Sequence, residues 1–171
     1  MFNEFNMYKQ LIKKIAKAAI NLPVLNRFPK LWCKILDVQI LGTTFYLSKH
    51  TLIGDYKNLC LANNAEINYG CFLLAKEKIV IGENSTLAYG VTILTSANPN
   101  GPHNKLSKIY PKMSAPVIIG NDVWVGANAV LLPGVKVGDF SVIAAGSIVT
   151  KDVPSGVVVA GNPAKIKKHL L

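Results

Sequence analysis

Residues 119–154 read IGNDVW VGANAV LLPGVK VGDFSV IAAGSI VTKDVP, six consecutive hexads that each open with Ile, Val or Leu, at 119, 125, 131, 137, 143 and 149. That period belongs neither to a helix nor to a simple strand. Six residues make one short strand and one corner, so the opening aliphatic side chain points the same way after every corner and builds one central stack. Glycine follows the aliphatic residue at Gly120, Gly126 and Gly138, and takes the fourth slot at Gly134 and Gly146, where a tight corner can require positive φ. The pattern predicts an all-β protein, a parallel β-helix with triangular coils of 18 residues.

The register continues upstream at Ile81, Leu87 and Ile93, and more loosely at Leu41, Leu47, Ile53, Leu59, Ala65 and Cys71. Fifteen hexads make five coils. Two breaks interrupt them. From Cys71 to Ile81 the step is ten, so the segment around Lys76, Glu77 and Lys78 bulges outward. From Ile93 to Ile119 the step is 26, and residues 95–116 carry Asn98-Pro99-Asn100-Gly101-Pro102, prolines at 111 and 116, and no aliphatic period. This is an excursion loop, and loops of that length in a compact domain tend to be functional.

At 171 residues and 50% hydrophobic, the chain fills one core, divided into an N-terminal segment 1–40, a β-helix 41–160 and a tail 161–171 expected to be a short helix. Cys33, Cys60 and Cys71 have neither metal nor disulfide spacing and read as reduced thiols of a cytoplasmic protein. The N-terminal region lacks the apolar core and small-residue cleavage site of a signal peptide. The three histidines, His50, His103 and His169, offer no converging metal set, so no metal is expected.

Net charge is +10, concentrated at the N-terminus, where residues 1–34 hold seven Lys and Arg against the single Glu4. On a helical wheel Tyr8, Leu11, Ile12, Ile15, Ala18, Ala19 and Leu22 share one arc and Lys9, Lys13 and Lys17 lie opposite, a basic amphipathic helix ended by Pro23. It has two readings. Residues 5–34 make a peripheral contact with an anionic membrane, or the helix caps the open coil end or packs on a neighbouring subunit. Nucleic acid is not indicated, because no recognition motif or aromatic platform accompanies the charge.

The stretch from about Leu41 to Lys168 resembles the left-handed β-helix, hexapeptide-repeat acyltransferases, particularly the galactoside and maltose O-acetyltransferase branch and its relatives in polysaccharide O-acetylation. The resemblance is carried by Ile81-Gly82-Glu83-Asn84, Ile119-Gly120-Asn121-Asp122-Val123-Trp124-Val125-Gly126, Val142 through Pro154, and Ala160-Gly161-Asn162-Pro163-Ala164-Lys165. It implies left-handed crossovers, a rare exception to the usual hand. It further implies a homotrimer with active sites between subunits and acetyl-CoA as co-substrate.

In the resembled enzymes the pantetheine arm lies between coils against backbone, beside small residues. Gly126, Ala127, Ala145 and Thr150 match those positions; Lys151, Lys165 and Lys168 match cations near the CoA phosphates. Trp124 reads as a subunit-contact residue. The acceptor-contacting asparagine of the family matches Asn68, and its acidic partner aligns with Lys76, beside Glu77. A lysine there suits an anionic acceptor.

Acetyl transfer to a hydroxyl needs a base for the proton and support for the oxyanion. The family uses a loop histidine, but the ungapped alignment from Ile81-Gly82 puts Asn98-Pro99 there, and an asparagine amide cannot take that proton near neutral pH. His103, in the same loop, is the expected base, with Asn98 orienting it or holding the acceptor; His50 and His169 read as structural or exposed. The expected function is acetylation of a sugar hydroxyl, on a small or lipid-linked acceptor, in surface polysaccharide synthesis. The alternatives are N-acetylation of an amino sugar nucleotide and a non-catalytic binding or scaffold trimer.

Overall fold

The structure, a computed structural model, describes residues 10–16, 29–48, 50–98, 105–110 and 112–171. Short strands stack into three parallel sheets, one per side of a triangular prism. The first sheet contains β1 (Gln39–Ile40), β4 (Leu59–Leu61), β7 (Ile79–Ile81), β12 (Val117–Ile119) and β15 (Lys136–Val137). The second runs β2 (Phe45–Leu47), β5 (Ala65–Ile67), β8 (Thr86–Leu87), β13 (Trp124–Val125), β16 (Val142–Ile143) and β18 (Val157–Ala160). The third holds β3 (Leu52–Ile53), β6 (Phe72–Leu73), β9 (Thr92–Ile93), β14 (Val130–Leu131) and β17 (Ile148–Val149). The five-stranded first and third sheets establish the five coils expected from the repeat.

Each strand turns two positions inward, the aliphatic first slot and the smaller fifth slot of the preceding hexad. Ile119, Val125, Leu131, Val137, Ile143 and Val149 are all at most 3% exposed, and Val123, Ala129, Val135, Ser141 and Ser147 fill the second set of interior places. Burying each large aliphatic side chain is worth roughly 1.5–3 kcal/mol. The inward serines are satisfied between coils: Ser85 Oγ donates to Gly120 O at 2.7 Å and accepts from Val123 N at 2.9 Å. The fourth slot is the left-handed corner, occupied by Gly134 (φ 87°) and Gly146 (φ 68°), but also by Asn84, Asp122, Asn128 and Phe140. The second-slot glycines answer to proximity instead. A Cβ on Gly120 would lie 2.2 Å from the Asp139 carboxylate of the next coil.

Two expectations need correction. In the first coils the aliphatic stack is set by pairs Ile40↔Leu61, Leu61↔Ile81, Ile67↔Leu87 and Leu73↔Ile93. Leu41, read as inward, is 69% exposed, whereas Leu59, Ala65 and Cys71 are interior but in the fifth-slot column, beside Ile79, Ser85 and Val91. Both columns recur every six residues and both face inward, so period alone does not tell them apart. The step from Leu73 to Ile81 is therefore eight, which still bulges the corner around Lys76. The tail, expected as a helix, is instead β19 (Lys165–His169), antiparallel to β18. The last coil strand offers a free edge, and pairing satisfies its N–H and C=O groups.

At the other end, residues 10–16 and Pro29–Ile35 are helical. Ala16, Cys33 and Leu36 join Val38 and Tyr56 in the core, so these helices cover the open coil end. Lys13 forms an ion pair with Asp37. The first helix thus docks on its lysine side through the short Ala16, leaving Leu11, Ile12 and Ile15 each more than half exposed. No helix among the described residues is long and apolar enough to cross a membrane.

Candidate functional site

The excursion 95–116 has a defined neck. Strands β10 (Ser96–Ala97) and β11 (Met113–Ser114) pair antiparallel, Ser96 against Ser114, returning the loop to the corner it left between the third and first sheets. The bulge of the preceding coil lies under that neck. Asn58 Nδ2 holds it by donating to Ala75 O at 3.0 Å and Lys76 O at 2.9 Å. Glu77 is then clasped from both sides of the neck: its backbone N–H donates to Thr95 Oγ1 at 3.1 Å, and Ser114 Oγ donates to its Oε1 at 2.8 Å. Thr95 is fully buried, so this clasp is anchored in the core.

Lys76 and Glu77 line a cleft of about 400 Å3 with Gly54, Asp55, Leu74, Lys112 and Ser114. Asn98 is exposed one residue beyond β10, at the same corner. His103, the expected base, lies outside the described residues. Thr150 and Lys151, both exposed, turn the same corner two coils above the excursion.

The remaining expected residues sit at a different corner, between the second and third sheets. Asn68 is there, half-buried, with Nδ2 donating to Leu87 O at 3.0 Å, a coil-to-coil bond that orients its amide. Beside it Tyr69 packs against His50 with ring centroids 4.8 Å apart. Ala127 and Ala145 occupy successive coils of this corner, tied by Gly146 N–H to Ala127 O at 2.8 Å. Gly126 is what allows the coils so close, since a Cβ would stand 2.5 Å from Ala145 N. Lys165 pairs with Ala160 at this corner, whereas Lys168 pairs with Val158, further along the strand towards the opposite corner.

The expected site residues therefore fall on two edges of the prism. Asn68, Gly126, Ala127, Ala145 and Lys165 share one prism edge; Lys76, Glu77, Asn98, Thr150 and Lys151 share another, and a sheet face separates them. Sequence reasoning missed that Thr95, Lys112 and Ser114 join Lys76 and Glu77 at this corner. The aperiodic stretch 95–116 carries no phase that would tell which of its residues return to which coil. On the outer face of the second sheet, Trp124 is 58% exposed between Thr86 and Val142.

Residues 116–151 match the family described as bacterial transferase hexapeptide (six repeats). Galactoside O-acetyltransferase of Escherichia coli (strain K12) is 39% identical over 113 residues, which is 66% of this chain and 55% of the relative. A galactoside acetyltransferase solved in complex with coenzyme A superposes with a TM-score of 0.78 at 30% identity, covering 96% of this chain and 82% of that one. The maltose O-acetyltransferase from Clostridium difficile 630 superposes with a TM-score of 0.80 at 29% identity, covering 98% of this chain and 89% of that one. These likenesses place the coil among transferases, and the chain belongs to the hexapeptide-repeat acetyltransferase family, with a left-handed β-helix. The chain spans about half the length, or less, of the curated relatives it matches.

Proposed function

We propose that the protein transfers an acetyl group from acetyl-CoA to a sugar hydroxyl, in building a surface polysaccharide at the cytoplasmic side of the membrane. The observation that carries this is the 30% identity, across 96% of the chain, to a galactoside acetyltransferase bound to coenzyme A. His103 takes the hydroxyl proton as the acceptor oxygen attacks the thioester carbonyl carbon; the tetrahedral oxyanion collapses, the C–S bond breaks, and the CoA thiolate leaves and is protonated. Asn98, in the same loop, orients the histidine or the acceptor.

Ala127 and Ala145 leave room beside the backbone for the pantetheine arm, and Lys165 at that corner meets the CoA phosphates. Because the expected residues lie on two separate edges of one prism, a complete site needs the edge of a neighbouring subunit. That supports a homotrimer, with the exposed Trp124 and Tyr46 of the second sheet as apolar contacts. Release of the CoA thiol over a panel of sugars, sugar nucleotides and lipid-linked sugars, for wild type and His103→Ala, tests the reading. Acceptor-dependent release lost in the variant supports it, activity on amino sugar nucleotides alone moves it to N-acetylation, and neither release nor acetyl-CoA binding moves it to a non-catalytic trimer.

The exposure of Leu11, Ile12 and Ile15 beside Lys14 favours a peripheral membrane contact through residues 5–34 as a second role. Cosedimentation with phosphatidylserine vesicles, abolished in Leu11→Ser/Ile15→Ser, checks it; equal binding of both proteins rejects it.

A further inference from the structure

We propose that the cleft under the neck of the excursion takes a sugar that carries a phosphate or carboxylate, with Lys76 and Lys112 holding the anion and Glu77 accepting from a sugar hydroxyl. This names the acceptor class within the acetyl-transfer reading and rests on it. The two lysines come from separate elements, Lys76 from the coil bulge and Lys112 from the residue before β11, and they converge on one concave space of about 400 Å3. Among the described residues neither ammonium has an ion-pair partner.

Neither carboxylate of the same cleft pairs with these lysines. Asp55 Oδ2 is paired with Lys57 Nζ at 3.2 Å, and its Oδ1 accepts from Lys57 N–H at 3.3 Å. Glu77 accepts from Ser114 at one oxygen, which leaves the other oriented to receive a hydroxyl proton. Two unpaired cations and one oriented carboxylate match a polyol bearing a negative group, and they do not match a neutral sugar, which needs no cation. Ammonium groups act as point charges on phosphate and carboxylate alike.

Calorimetry on the full chain with glucose 1-phosphate, glucuronate and glucose, at low and high salt, tests this. At least one of the two anionic sugars should bind ten-fold or more tightly than glucose, with the difference shrinking in salt, and the comparison of the two shows which anion is read. Lys76→Gln/Lys112→Gln should lose that preference, while Lys136→Gln, on the outer face of the first sheet, should retain it. Equal binding of all three sugars, or an anion preference that survives the double variant, overturns the proposal. Thiol release from acetyl-CoA is measured with all three sugars alongside: turnover without anion preference rejects this inference and leaves acetyl transfer standing, whereas anion-selective binding with no turnover of any of the three supports the cleft and rejects acetyl transfer to these sugars.

Discussion

The hydroxyl of Ser114 donates to the carboxylate of Glu77 at 2.8 Å, a bond between residues 37 apart in sequence that closes the neck of the excursion over the coil bulge. Removing it in Ser114→Ala costs Glu77 its orientation but little stability, because both side chains are exposed. A hydrogen bond to a charged group is worth about 1.5–3 kcal/mol at most, less when exposed. The expected outcome is a three- to ten-fold rise in acceptor KM, about 1 kcal/mol, with the acetyl-CoA KM unchanged. A rise in both constants together would show that the bond supports the fold rather than the acceptor cleft.

Two glycines should fail for different reasons. In Gly82→Ala the new methyl would stand 2.2 Å from Gly120 O and 2.4 Å from its carbonyl carbon, backbone atoms that cannot move without opening the coil. Overpacking of this kind costs about 1–3 kcal/mol, and the melting temperature should fall accordingly. Gly146→Ala meets nothing within 4 Å, yet its φ of 68° is strained for any residue with a Cβ, and about 1 kcal/mol is expected. Equal losses in the two variants would contradict the separation of packing from backbone strain.

Phe140 breaks the pattern of its own corner. It sits at φ 57°, a slot filled elsewhere by asparagine, aspartate or glycine, and its ring is 52% exposed. Its neighbours on that edge form a ladder, Asn64 Nδ2 to Asn84 Oδ1 at 3.0 Å and Asn84 Nδ2 to Asp122 Oδ1 at 3.3 Å. Phe140→Asn should raise the melting temperature by a few degrees, since left-handed backbone costs a bulky side chain about 1–2 kcal/mol more than it costs asparagine. A lower melting temperature would mean the ring is held by a partner subunit.

The three thiols should be silent in the folded protein. Burial pushes the Cys33 thiol from its ordinary 9.0 up to about 11, and raises Cys60, against the pull of Lys78, and Cys71 as well. Native protein at neutral pH should react slowly with a thiol reagent, and denatured protein should react at all three. The neutral form is the one the fold prefers, so this stabilisation is complete below pH 9 and declines as pH climbs from 9 towards 11, measurable as a falling denaturation midpoint. Rapid labelling at pH 7 would contradict the burial.

Lys165 and Lys168 differ by position along β19, Lys165 beside the corner of Ala127 and Ala145 and Lys168 displaced towards the opposite corner. Lys165→Ala should weaken CoA binding by about ten-fold, as expected for a lost phosphate contact of roughly 1–2 kcal/mol, and Lys168→Ala by less than about two-fold. Calorimetry with CoA separates them. A reversal would place the phosphates along the strand instead of at its corner end.

The sequence alone determined the solenoid, because an aliphatic residue every sixth place has one geometric solution, a strand and a corner repeated, and that holds wherever the coil lies in the chain. It also determined the number of coils and the point at which the chain leaves them. Only the tertiary structure decided which of two inward columns Leu59, Ala65 and Cys71 belong to, since both columns share the same period and differ only in the strand each residue faces. It likewise decided that Lys112 and Ser114 return to Lys76 and Glu77, and that the tail is a strand. Loop closure and edge pairing are contacts between distant segments, and a local repeat carries no information about where an aperiodic segment comes back.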